Sequence, residues 1–259
     1  MNKGIAQRWQ ALGRFLASLK LTVALLLLLG LLVVAGTILQ AGSGIYAAQR
    51  DVFAAWIILL HGVIPLPGML LVSSLLFVNL LAAAAFRLPY RWRQAGLLLI
   101  HYGLLLLVGG GFFIASVSRE YSLTLRESES SRILLPAAGG RGAVLPFTVK
   151  LIDFEKALHP GTEIPSRFTS RIEIGAGRSA RSAVISMNRP LRTGGYTFYQ
   201  SSYAEDGRGG ESSTFSVVRN QGRWLPYISS ALLFLGLAWH FLAMLAAALK
   251  KSRSLRGQP

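Results

Sequence analysis

The chain has 259 residues, of which 52% are hydrophobic and only 15% charged, with a mean hydropathy of +0.47. So few charges, with the apolar residues gathered in long uninterrupted runs, argue against a soluble domain and for an integral membrane protein. The formal net charge of +16 brings no recognition motif on one basic face, which excludes a nucleic-acid reading, and the lack of cysteine excludes a dithiol relay, a thiolate metal site and disulfides within this chain.

The charge is also placed unevenly. Lys3, Arg8, Arg14 and Lys20 precede the first apolar run; Arg87, Arg91 and Arg93 fill a short loop between two others; Lys250, Lys251, Arg253 and Arg256 follow the last. None of these segments holds an Asp or Glu, the pattern that the positive-inside rule predicts for cytoplasmic ends.

In chain order, residues 1–20 form a partly amphipathic lead-in with Trp9, Leu12, Phe15 and Leu16 as apolar points, suited to the cytoplasmic interface. A first span is expected over about 21–40. It exceeds a signal-peptide core and ends in TILQAGSG, a poor cleavage site, so an uncleaved anchor with its N-terminus inside is predicted. Residues 41–67 are then outside. Val52–Leu60 is apolar but too short to cross and is followed by Pro65 and Pro67, so an interfacial or re-entrant helix is expected over about 45–62. His61 at its end reads as an interfacial polar residue or a haem ligand.

A second span is expected over about 68–86 and a third over 95–117, a stretch of 23 residues with no formal charge. Its one ionisable side chain is His101, roughly two turns in from the basic loop. An imidazole in an apolar span is costly, so it faces a partner, a cavity or a ligand. Two readings stay open: a histidine hydrogen-bonded to a neighbouring helix, or a metal or haem ligand, since neutral imidazole is the commonest metal ligand. Gly109–Gly111 near the other end allow close helix approach.

Residues 118–223 are the one large polar block and read as β. Tyr121–Arg126 and Arg171–Ile174 alternate, while Phe147–Phe154, Ala183–Met187, Tyr196–Gln200 and Thr214–Val218 are rich in β-branched and aromatic residues. Glycine turns separate them: Gly139–Gly142, Gly175-Ala176-Gly177, Gly194-Gly195 and Asp206-Gly207. A compact antiparallel sandwich or curved sheet is predicted. The Gly-Ala-Gly is no dinucleotide fingerprint, because no helix pattern follows it. A fourth span, Trp224–Leu249, carries His240 with Gly236 one turn earlier. His101 and His240 then fall in the same leaflet on opposite-running helices. That suits a planar ligand between helices, and equally a histidine–histidine or histidine–water contact.

The run Asn188-Arg189-Pro190-Leu191 followed by Gly194-Gly195-Tyr196-Thr197-Phe198-Tyr199-Gln200-Ser201-Ser202-Tyr203 resembles the ResB (CcsB) family of cytochrome c biogenesis proteins. Leu16–Thr22 before the first span and Ser216–Asn220 before the last are similar to the same family. The resemblance implies an integral membrane α+β protein with four transmembrane helices and an all-β periplasmic domain inserted between helices 3 and 4. It implies a bacterial inner-membrane location with both termini cytoplasmic. It further implies a System II complex with a ResC/CcsA-type partner, which moves haem b outward and attaches it to CxxCH cysteines of apocytochrome c, with thioredoxin-like reductants acting separately. His101 takes the position of the family's axial haem ligand. His240 is a second candidate without such a carry-over, the opposing ligand coming from the partner. Tyr199, Gln200 and Tyr203 are candidates for partner contact, although alternation in this block also simply builds a sheet. Alone the chain is not expected to be an enzyme, the haem lyase activity needing the partner. Two departures stand out: the β block matches a short form of the family, and Gln221 stands where a proline is expected. The rival readings are a membrane scaffold that binds no haem and a membrane sensor.

Overall fold

The computed structural model describes residues 3–60, 62–137, 140–162, 165–175, 177, 180–205 and 211–256. His61 and the turn residues Gly139, Ala176, Asp206 and Gly207 lie outside the described residues. The chain separates into two units, Met1–Phe113 with Arg223–Pro259, and Ile114–Gly222.

The first unit is built from apolar helices. α1 (Lys3–Leu16) and α2 (Leu19–Ser43) are divided by a break at Ala17-Ser18, where Ser18 is extended. Gly44 at φ +85° ends α2, and α3 (Ile45–Ala48) runs into a π-helical turn over Gln49–Phe53. α4 (Met69–Phe86), a 3₁₀ turn over Trp92–Gln94, α5 (Ala95–Val117) and α6 (Leu225–Arg256) complete the unit. Among the described residues, four helical stretches are long and apolar enough to cross a membrane: Leu19–Ser43, Met69–Phe86, Ala95–Val117 and Leu225–Ser252.

One expected helix is shorter than its apolar run. Between 45 and 62 helical structure stops at Phe53, and β1 (Ile57–Leu60) pairs antiparallel with β2 (Ile64–Pro67). The reason lies in the residues. Ile57, Ile58 and Ile64 favour extended backbone, and Pro65 and Pro67 lack the N–H a helix needs but fit a ribbon whose outer edge is unpaired. Gly68 closes the hairpin onto α4: its N–H donates to Trp56 O at 2.9 Å, and an added Cβ would overlap Ala55 O.

α4 holds the unit together. Val72, Leu76, Leu80 and Ala84 pack against Leu25 and Leu32 of α2 and Leu105 of α5. α5 meets α6 on a different principle. Gly96, Gly103 and Gly110 recur every seven residues, all buried, the spacing that keeps one stripe facing a left-handed neighbour. A Cβ on Gly96 would lie 2.7 Å from Gly236 O and 2.7 Å from His240 N, nearer than real contacts allow.

The second unit is one eight-stranded antiparallel sheet in the order β7-β6-β5-β4-β3-β10-β9-β8. The strands are β3 (Arg119–Arg126), β4 (Ser130–Pro136), β5 (Ala143–Leu158), β6 (Pro165–Ile174), β7 (Arg181–Ser186), β8 (Leu191–Thr193), β9 (Tyr196–Glu205) and β10 (Glu211–Arg219). Bulges in β4, β5 and β9 strengthen the twist. The sheet curls until β7 reaches β8 and β9, enclosing Leu125, Leu134, Leu145, Leu151, Phe198 and Phe215. Gly194 and Gly195 at φ +56° and +81° make the two-residue turn from β8 to β9. A Cβ on Gly194 would also strike the Phe147 ring.

Candidate functional site

His101 sits on the face of α5 turned to α4, half-buried, with Nε2 2.7 Å from Leu80 O. A carbonyl oxygen can only accept, so Nε2 carries the hydrogen and donates it. In the neutral imidazole the lone pair is then on Nδ1. An imidazole that gives one N–H to a backbone carbonyl has the tautomer and orientation that metal-ligating histidines are commonly given. The arrangement therefore fits a single axial ligand, and equally a histidine satisfied by packing.

The polar groups around it are few. Asn79, next to Leu80 and 1% exposed, points the other way, accepting from Thr22 Oγ1 at 2.7 Å and donating to Leu16 O and Ser18 O. It thus ties α4 to carbonyls on both sides of the break between α1 and α2. On the far side of His101, the Tyr102 hydroxyl lies 2.9 Å from that of Tyr90, which also donates to Ala84 O at 2.9 Å. The bond with Tyr102 is the main reason the Tyr90 pKa is raised above its ordinary 10.0.

His240 is elsewhere. Gly96 faces α6, and His101 comes five residues later, about 140° round the helix at 100° per residue. The two histidines are therefore not brought together. His240 lines a separate cleft with Trp92, Leu97, Trp239, Lys250 and Lys251. Its ring meets Phe241 edge-on at 5.9 Å. Trp92 and Trp239, far apart in sequence, come together edge-to-face at 5.8 Å. Spacing gives no hint of that pairing, whereas Asn79, a lone amide in an apolar span, could have been singled out from sequence.

In the β unit, Gln200 and Tyr203 are engaged internally. The Gln200 amide accepts from Ser170 Oγ at 2.7 Å and donates to Ser213 Oγ at 2.8 Å, both serines being fully buried. Tyr203 packs against Phe168 at 4.8 Å and Phe154 at 5.6 Å. Tyr199 is 41% exposed. Among the described residues no three His, Asp or Glu side chains gather as a metal site.

Residues 90–213, which begin just before α5 and end within β10, match the model of the ResB-like family. Over that stretch, just under half of its length, the chain is similar to the ResB-like family. It is also similar to Protein NrfI of Wolinella succinogenes, with 36% identity over 108 residues, 41% of this chain and 12% of that protein's length. Among solved structures, Cytochrome c Heme Lyase CcmF overlaps 83% of this chain and 34% of its own, at 15% identity and a TM-score of 0.36. A score that low decides nothing about the arrangement of this chain.

Proposed function

We propose that this chain is a membrane subunit of a System II cytochrome c biogenesis complex, where it helps carry haem across the membrane and present it for attachment to apocytochrome c. The observation that carries the reading is the extent of the family match, which takes in both the apolar helix bearing His101 and nearly all of the β unit. The basic ends at 87–93 and after 250 support a cytoplasmic placement of those ends, with the four apolar helices spanning the inner membrane and the β unit periplasmic between the third and fourth. A ResC/CcsA-type partner supplies the opposing ligand and the lyase activity, and thioredoxin-like proteins reduce the apocytochrome.

Haem in this reading is cargo, and its iron accepts axial imidazoles. His101 offers Nδ1 while Leu80 O holds Nε2 in place. The apolar side chains of α4 and α5 keep water from the ring. A second reading, a scaffold that binds no haem, draws support from that same bond, because His101 is satisfied without a ligand.

Purification with the partner from a haem-replete host tests both, through reduced absorption spectra of wild type, His101→Ala, and His101→Ala with added imidazole. Haem that falls in the variant and returns with imidazole is the expected result. Equal haem in both preparations makes His101 a packing residue, and no haem in an intact complex favours the scaffold.

A further inference from the structure

We propose that the cleft around His240 is a second haem-binding site, separate from His101 and at the basic end of α5 and α6. The proposal rests on the haem-delivery reading above and names another place on this chain where the same cargo sits. The cleft has a volume of about 1160 Å³ and is lined by Trp92, Leu97, Trp239, His240, Lys250 and Lys251 among others. That is ample for a cofactor-sized ligand, whose sites run to roughly 300–1000 Å³. Ala243, Ala246 and Ala247 leave the room by carrying small side chains along one stretch of α6.

Each part of the lining answers a part of an iron tetrapyrrole. The indoles of Trp92 and Trp239 and the Leu97 side chain offer apolar and aromatic surface to a planar ring. The Lys250 ammonium suits a carboxylate of the ligand. His240 supplies an imidazole to the iron. The His240 ring is half-buried, meets Phe241 edge-on and lines the cleft. His240 also precedes Lys250 by ten residues, about 15 Å along the helix, so imidazole and ammonium groups are spread over the length of the cleft. A phospholipid headgroup would engage the lysines alone and leave the imidazole and the two indoles without a role. The two histidines point to different neighbours from α5 and α6, so one tetrapyrrole cannot use both within this chain.

The test titrates haemin into the full chain in detergent in the His101→Ala background, read by quenching of tryptophan fluorescence and by the Soret band. Saturable binding is expected. His240→Ala weakens it about tenfold or more, since loss of even an outer-shell partner of a metal ligand costs 10–100-fold. His240→Met keeps haemin bound but moves the Soret band, which a merely structural role would not do. Lys250→Gln weakens haemin roughly tenfold and leaves the dimethyl ester of haemin unaffected. Equal haemin affinity with and without His240 overturns the site, as does a lysine effect that persists with the diester. Loss of binding to phosphatidylglycerol vesicles in the lysine variant, with haemin binding intact, assigns the cleft to lipid instead. If His101-dependent haem persists in the purified complex while the cleft fails, only this proposal falls. If the cleft binds haemin but the complex never carries haem through His101, only the delivery reading falls.

Discussion

The two units of this chain hold their shape by opposite means. In the β unit, large side chains such as Phe198, Phe215, Leu145 and Leu151 are fully buried, and the polar groups at its centre, Ser170, Ser213 and Gln200, satisfy one another. In the helical unit, Leu27, Leu31, Ile38, Phe234 and Leu242 face outward, and cohesion comes from glycine contacts and a few side-chain bonds to backbone carbonyls. A sheet closing on water is driven by apolar burial, whereas helices in an apolar surround gain little from it and rely on close approach and hydrogen bonds. The difference assigns chemistry. A polar side chain in the β unit is explained by its side-chain neighbours, while in the helical unit His101 answers to a backbone carbonyl and His240 lines a cleft.

The contrast breaks most sharply at Phe198. Phe198→Ala removes a ring packed against Phe147 at 6.3 Å and should cost about 3–5 kcal/mol of β-unit stability. Limited proteolysis of the full chain would then cut within 114–222 faster, while helical circular dichroism stays near its original level. Loss of helix to the same extent would mean the units do not stand apart energetically.

In the helical unit the matching blow is a single added methyl. Gly96→Ala places a Cβ against the backbone of Gly236 and His240 and should cost about 1–3 kcal/mol by overpacking. Gly111→Ala on the same helix meets nothing within 4 Å and should be neutral or stabilising, by up to about 1 kcal/mol of helix propensity. Cross-linking between cysteines placed on α5 and α6 reads the first directly, and the pair of variants separates packing from propensity. A smaller effect lies at Asn79. A double-mutant cycle of Asn79→Ala and Thr22→Val, followed by unfolding in mixed micelles, should give a coupling of about 0.6 kcal/mol, typical of interhelical hydrogen bonds in membranes. A coupling near zero would leave Asn79 with its carbonyl bonds alone.

How much of this was legible beforehand follows the same division. The apolar spans declared themselves by length, and the strands by alternation, as in Tyr121–Arg126 within β3 and Thr214–Val218 within β10. β4 escaped because its Ser-Ser start and Pro136 end break the pattern, and β8 because three residues carry no period. The 57–67 hairpin looked helical because a short apolar run has no period of its own, and only Pro65 and Pro67 hinted otherwise. His101 stood out as a lone imidazole in an uncharged run. Its tie to a main-chain carbonyl could not, since backbone acceptors leave no mark in sequence. The meeting of Trp92 with Trp239 needed the fold, because only the Gly96–Gly236 approach brings the two ends together.

The gentlest test sits in the loop leading to α5. Tyr90 shares its hydroxyl with Tyr102 and with Ala84 O, so losing its proton would set a phenolate beside a carbonyl oxygen and a second hydroxyl. Its folded pKa is accordingly raised above 10.0, chiefly through Tyr102 and secondarily through desolvation. A raised value means that whatever the bridge contributes is complete below the ordinary tyrosine pKa and is lost as pH rises through the folded one. Absorbance at the tyrosinate band should show Tyr90 titrating later than a free tyrosine, and Tyr102→Phe should bring it back toward 10.0. Because Tyr102 adjoins His101, the same variant asks whether the loop steadies the histidine. A shift in Tyr90 with unchanged haem content of the purified complex would confine the bridge to the loop, while a shift in both would extend it to His101.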